Sequence, residues 1–255
     1  MRLRVATFNI RNSSAADGDD SWVLRREATA AAIEELAADV VGLQEVLPDQ
    51  LEYLRERFAE YEIVGAGRDD GAHAGEHSVV MIRRGPWQLD SHETRWLSGA
   101  PSTPGSVGWD ADLTRIATLV RLSTIDGSRA GIVNTHYDHI GEVAQLESSK
   151  LIDRWTAAEP ELHWVVLGDL NVGPESLPLK VFLEAGWRDA VPAGAGGTFH
   201  DFTGATDRER IDHILISKNW HVVDAEVSHH RPGGRLPSDH WPVVATLNLG
   251  EDLFA

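Results

Sequence analysis

The chain has no cysteine and only three lysines, Lys150, Lys180 and Lys218, among its 255 residues. Without cysteine there are no disulfides and no thiolate metal sites, so any metal must take oxygen or nitrogen ligands. The scarcity of lysine goes with a formal net charge of −17. That balance argues against the basic face that holds long nucleic acids by their phosphates, and is read as a solvated acidic surface. No stretch approaches the roughly 20 apolar residues of a membrane span, so no membrane association is expected. Residues 1–8 are too short for a signal peptide and read as a strand, which makes the cytoplasm the expected compartment. A 42% apolar content over this length is enough for one cored domain over residues 1–255, expected to be a monomer.

Periodicity divides the chain into alternating strands and helices. Val5–Ile10 reads as a strand delivering Asn9, and the polar residues 11–21 as a loop. Residues 22–38 suit a helix with Ser21 as N-cap and Ile33 and Leu36 on one face. A buried strand, Val40–Leu43, follows and reaches Glu45. Pro48 opens a helix to Phe58, striped by Leu51, Leu54 and Phe58. Further strands are predicted at 61–65, 78–83, 87–94, 115–123, 129–136, 165–167, 211–217, 221–227 and 243–249. Helices are predicted at 142–157, with Val143, Leu146, Leu151 and Trp155 inward, and at 179–185. The loop 98–112 carries Pro101, Pro104 and three glycines. It is too long for a plain connector and is expected to cover something. The strands running into Asn9 and Asn171 each look like the start of a half. The fold class expected is α/β: two packed sheets with helices outside.

The chemistry is concentrated in GDLN (168–171) and SDH (238–240), each beside an apolar run. Alternate strand residues share a face, so Asp169 and Asn171 can point into one cleft. Oxygen acceptors and an imidazole converging at strand ends suit a hard metal and a phosphate ester. Glu45 ends a buried strand, where a carboxylate is costly unless paired or metal-bound. The bland alternatives are a surface turn for Glu45, an Asx turn for Asn9, loop capping for Asp169 and Asn171, and a surface ion pair for Glu76 or Arg115. Trp22, Trp96 and Trp109 fall near the expected mouth, where packing is favoured over stacking on a ligand.

Six motifs fall in order: TFNIR (7–11), LQEV (43–46), NTHYDH (134–139), GDLN (168–171), RIDHIL (210–215) and SDHWPV (238–243). Together they resemble the endonuclease/exonuclease/phosphatase superfamily over nearly the whole chain, most closely a bacterial and fungal branch with an NTHxDH motif. The resemblance implies a four-layered α/β sandwich of two mixed, mainly antiparallel sheets packed face to face. It also implies a Mg²⁺-dependent phosphoester hydrolase, with Mn²⁺ as substitute. By resemblance, Glu45 is the principal metal ligand, with Asn9 a neutral oxygen donor and Asp239 a second carboxylate. Asp169 would activate water, steered by Asn171. His240, paired with Asp212, and His136, leaning on Glu76, would meet the phosphate, and Arg115 would clamp it. Asp138, His139 and His200 have no assigned role. A small phosphorylated metabolite (nucleotide, sugar or lipid-head ester) is the favoured substrate. A DNA or RNA nuclease is the runner-up, and a non-catalytic binding protein on the same fold comes third.

Overall fold

The computed structural model describes residues 1–250. The first half of the chain runs β1 (Arg2–Asn9), α1 (Trp22–Leu36), β2 (Val40–Val46), α2 (Pro48–Arg57), β3 (Tyr61–Val64), β4 (His77–Arg83), β5 (Trp87–Trp96) and β6 (Ile116–Thr124). The second runs β7 (Arg129–His136), α3 (Glu142–Ala157), β8 (His163–Asp169), α4 (Leu177–Glu184), β9 (Arg188–Asp189), β10 (Asp212–Ile216), β11 (Trp220–Val227) and β12 (Val243–Leu249). One sheet has the order β11-β12-β1-β2-β4-β3, the other β5-β6-β7-β8-β10-β9. Among the described residues only β1/β2 and β7/β8 pair in parallel. Each of these pairs is joined through a helix, as a parallel connection requires.

The two sheets are built on one plan. β1-α1-β2-α2-β3-β4 in the first half matches β7-α3-β8-α4-β9-β10 in the second, and each half lends its last hairpin to the other half's sheet. The second half therefore starts at β7, not at the strand into Asn171, because β7 and not β8 opens the parallel pair.

Strand alternation sets the layers. On β1, Leu3 and Val5 face the other sheet, while Ala6 and Phe8 face α1 and α2. On β8, Val165 and Leu167 face inward, while Trp164 and Val166 pack with Ile152 of α3 and Phe182 of α4. Three apolar clusters thus separate helix, sheet, sheet and helix, the expected sandwich. The sheets approach closely at Gly42, where a Cβ would overlap the Leu167 and Asn134 side chains. On α3 the expected apolar stripe is only partly inward. Val143 is exposed and Leu146 and Trp155 are half-buried, while Ala144, Ser148, Leu151 and Ile152 are buried. The helix lies close to its neighbours on small residues. Among the described residues no helix is long and apolar enough to cross a membrane.

Candidate active site

The inward-facing register continues past the apolar clusters to one end of the sandwich. There it places Asn9 (end of β1), His136 (end of β7), Asp169 (end of β8) and Asp212 (start of β10) between the sheets. Simple alternation would send Glu45 to the helix side with Val41 and Leu43. A register shift between Leu43 and Val46 and a left-handed backbone at Glu45 (φ 62°) turn it into the site instead. Arg11 (φ 53°) and Asn171 (φ 52°) share this conformation, which is strained for non-glycine residues. Gly168 precedes Asp169 because a Cβ there would overlap the Thr135 carbonyl.

These ends enclose a cavity of about 370 Å³ whose wall includes Arg11, Asn12, Glu45, Glu76, Arg115, His136, His139, Asp169, Asn171, Asp239 and His240. Leu113, Phe199 and Ile211 supply its apolar side. Asn9 lies beneath. Its Nδ2 donates to Glu45 Oε1 and to Asp169 Oδ2, both at 3.0 Å, while its Oδ1 accepts the Arg11 N–H at 2.9 Å. Asn9 thus bridges the two carboxylates through its nitrogen, while its oxygen holds the Arg11 N–H. Glu45 Oε2 also accepts the N–H (3.0 Å) and Nδ2 (2.8 Å) of Asn12. Burial would raise the Glu45 carboxyl, but these bonds and the charge on His240 outweigh it and hold the group below its usual range. Asp239 is raised by burial and by the nearby Glu45 charge. Its closest cation is Arg11 Nε at 3.6 Å.

Asp169 Oδ1 accepts the Asn171 N–H at 3.0 Å. Its Oδ2 lies 3.5 Å from His136 Nε2 and 3.7 Å from His240 Nε2. Burial and the Asp212 charge push Asp169 up, against the pull of His240. The His240 Nδ1–H donates to Asp212 Oδ2 at 2.9 Å. Burial opposes charge on His240, but the Asp212, Asp169 and Asp239 carboxylates prevail and raise it, so it is an imidazolium at neutral pH. His136 goes the other way: burial, Arg115 and His240 hold it well below its usual value. It is a neutral donor or acceptor, not a cation.

Asp169, Asp212 and His240 each offer a ligand atom, all within 4.8 Å of one another, so the group can hold a metal. A protonated His240 whose Nδ1 is engaged by Asp212 repels a cation there. The donors Glu45 and Asp239 fit a hard divalent ion better. Asp239 is buried and Glu45 half-buried, Glu45 adds to the charge that raises Asp239, and His240 and Arg11 are the cations that partly balance them.

The expected contact of Glu76 with His136 is absent. Glu76 pairs with Arg68 at 2.6 Å, and the buried His136 Nδ1 has no hydrogen-bond partner among the described residues. Arg68 sits eight residues away on the same loop and is the nearer and stronger charge partner. Asn171 spends its Nδ2 on the Tyr137 carbonyl (3.0 Å), which fixes the side chain at the cavity wall. His139 lines the cavity, whereas His200 is buried against Trp241 with ring centroids 4.4 Å apart. Trp22 and Trp96 are buried and Trp109 is exposed; none lines the cavity.

Sequence reasoning missed Arg25. This buried guanidinium donates to the carbonyls of Ile10 (2.7 Å), Arg11 (2.7 Å), Asp20 (2.9 Å) and Pro237 (3.0 Å), tying the turn after Asn9 to the segment before Asp239. An arginine on the helix face that carries Trp22 and Thr29 was the available signal. Gln44 and Asn134, both within sequence motifs, join the sheets through a 2.6 Å hydrogen bond from Gln44 Nε2 to Asn134 Oδ1.

A model of the Endonuclease/Exonuclease/phosphatase family matches residues 6–240. The chain belongs to this family. An endonuclease/exonuclease/phosphatase from Bacteroides vulgatus is 35% identical, with TM-score 0.92 over 98% of this chain and 100% of that one. A mannosyl-6-phosphatase from Bacteroides thetaiotaomicron is 32% identical, with TM-score 0.90 over 97% of this chain and 100% of that one. Human tyrosyl-DNA phosphodiesterase 2 is 23% identical over 238 residues, 83% of this chain, and the match spans only 59% of that protein's length. A zebrafish homologue of the latter, solved with a single-strand DNA product, shares the family fold at 18% identity and TM-score 0.76. The family's phosphatases and phosphodiesterases hydrolyse phosphoesters, and this chain carries the hydrolase fold of that family.

Proposed function

We propose that the chain, acting as one domain, is a Mg²⁺-dependent hydrolase of a small phosphorylated metabolite, with a sugar phosphate as the first substrate to test. The observation that carries this reading is the convergence of Glu45, Asp169, Asp239 and His240 on one cavity of about 370 Å³, a volume suited to a phosphate and one ring. Glu45 and Asp239 would hold the ion, with Asn9 fixing Glu45. When bound, the ion supplies charge neutralisation to a phosphoryl oxygen and to the leaving oxygen.

The protein's own groups account for the rest. Asp169, raised by burial, suits a base working near neutral pH, and it takes the proton of the attacking water. Asn171 and Asn9 orient its two oxygens. His240, kept protonated by Asp212, donates through Nε2 to a phosphoryl oxygen as charge develops. Neutral His136 contributes a hydrogen bond, and Arg115 adds a fixed positive charge at the wall.

The likeness to mannosyl-6-phosphatase supports a monoester. The weaker likeness to tyrosyl-DNA phosphodiesterase 2 favours a nucleic-acid diester, against the net charge of −17. The test is hydrolysis of mannose 6-phosphate, p-nitrophenyl phosphate and bis(p-nitrophenyl) phosphate with Mg²⁺, with chelator and with Asp169→Asn. Cleavage of the monoesters, lost in both controls, is the expected result. Preference for the diester, with binding that weakens steeply as salt rises, would shift the assignment to a nuclease. Failure on every ester and on oligonucleotides would reject the hydrolase.

A further inference from the structure

Asp138 is only 2% exposed, yet no catalytic step above uses it. Its Oδ1 accepts the N–H groups of Ile140 (3.0 Å) and Gly141 (2.8 Å) in the turn leading to α3. Its Oδ2 accepts those of Asp112 (3.1 Å) and Leu113 (3.2 Å), at the end of the long loop between β5 and β6. A second aspartate fastens the same loop. Asp110 accepts the N–H groups of Val143 (3.2 Å) and Ala144 (2.7 Å), capping α3 from a distant segment where the local N-cap, Gly141, has no side chain. The loop is thus a strap bolted to α3, and it brings Leu113 and Arg115 to the cavity wall. Arg115 Nε lies 3.6 Å from Asp138 Oδ2 and has no hydrogen-bond acceptor among the described residues. Its Nη2 donates to His139 Nδ1 at 3.4 Å. The guanidinium is therefore buried and only loosely held from behind, with N–H groups to spare for a ligand.

We infer that Asp138 is a positioning residue: by anchoring the strap and facing Arg115, it aims that guanidinium at a phosphate oxygen and sets Leu113 as the wall that limits ligand size. This rests on reading the cavity as a phosphate site. Burial would raise the Asp138 carboxyl, but its four backbone N–H bonds hold it down to about 2, so it remains an anion. Asparagine in its place loses the charge and turns an NH₂ group toward two N–H donors.

Calorimetry with inorganic phosphate tests this on the whole protein without requiring turnover. Asp138→Asn should weaken phosphate binding about tenfold, and Arg115→Ala at least as much. The double variant should be no weaker than Arg115→Ala alone, since residues acting through one group are not additive. Hydrogen exchange over residues 98–114 should quicken in Asp138→Asn but not in Arg115→Ala. Additive losses, wild-type affinity in Asp138→Asn, or a wild-type protein that binds no phosphate would each overturn the inference. Should Asp138→Asn fail to fold, Asp110→Ala loosens the strap at its other bolt; weaker phosphate binding supports the inference and unchanged affinity overturns it. Intact phosphate binding without hydrolysis of any ester would sink the hydrolase reading and leave this one standing.

Discussion

Glu45 and Asp169 occupy matching places, at the ends of β2 and β8 in the two halves, Glu45 half-buried and Asp169 buried. Their electrostatic settings are opposite. Glu45 accepts hydrogen bonds from Asn9 and twice from Asn12, and it stays below the usual carboxylate range. Asp169 accepts one from Asn9 and one from Asn171, faces the Asp212 charge, and is pushed up. The number of donors and the sign of the neighbour keep one carboxylate a standing charge and raise the other toward the range the proposed base needs. In the proposed mechanism the same scaffold, used twice, would supply a cation-holding side and a proton-handling side.

The sharpest way to break this comparison is to neutralise each mate. Asp169→Asn should lower kcat by about three orders of magnitude or more at saturating Mg²⁺, since it removes the base. Glu45→Gln should instead raise the half-saturating Mg²⁺ concentration by about 10–100-fold, with turnover recovering as Mg²⁺ is added. Equal, Mg²⁺-independent losses in both variants would show that the halves are not specialised.

The starts of β4 and β10 offer the next comparison. Asp212→Asn should cost about 100-fold in kcat by leaving His240 without its partner. Glu76→Gln, whose carboxylate pairs with Arg68, should change kcat by no more than about threefold. A Glu76→Gln loss as large as that of Asp212→Asn would mean that His136 also depends on a carboxylate.

The seam between the halves can be cut without touching the reacting groups. Asn134→Leu removes the side-chain donor to the buried carbonyls of Leu43 and Val79 and the acceptor of one Gln44 amide bond, leaving Gln44 Nε2 with Thr7 Oγ1 and the Gly42 carbonyl. It should lower stability by about 2–4 kcal/mol in urea unfolding. A cost within about 0.5 kcal/mol of wild type would show that the seam is held by apolar contact alone.

The smallest effect concerns pH. Burial, with help from the His240 charge, lowers His200 to about 4. Unfolded, the same imidazole titrates near 6.5. Between those values the unfolded chain binds more protons, so stability that is complete above about pH 6.5 falls as pH drops toward 4. The corresponding loop of the first half, residues 65–76, is tied by the Arg68–Glu76 ion pair and by three backbone N–H bonds to Asp70. At pH 5 hydrogen exchange should therefore quicken over residues 192–207 before residues 65–76, and His200→Gln should flatten the stability slope. An unchanged slope would remove His200 as the cause.

Most elements were legible in the sequence because their signals are local. The period of two marked β7 and β12 at their observed ends, and the 3.6 period marked α3, although its buried face was misjudged at Val143. The two-residue β9 carries too little pattern to be read at all. Motif order pointed to the family and nominated ten candidate site residues, all of which line the cavity or bond directly to a residue that does, although Glu76 at the wall pairs with Arg68 instead of His136.

The sequence by itself determined the layers, the strand ends that meet at the cavity and the identity of the candidate groups there, because periodicity and short motifs are written in neighbouring residues. The tertiary structure alone decided that Glu45 turns inward at a bulge, that Asn9 bridges Glu45 and Asp169, and that Asp138 bonds the strap. It alone showed that Arg25 ties Asp20 and Arg11 to Pro237, 212 residues away. Each of these depends on which distant backbone group a buried charge meets, and no local pattern records that.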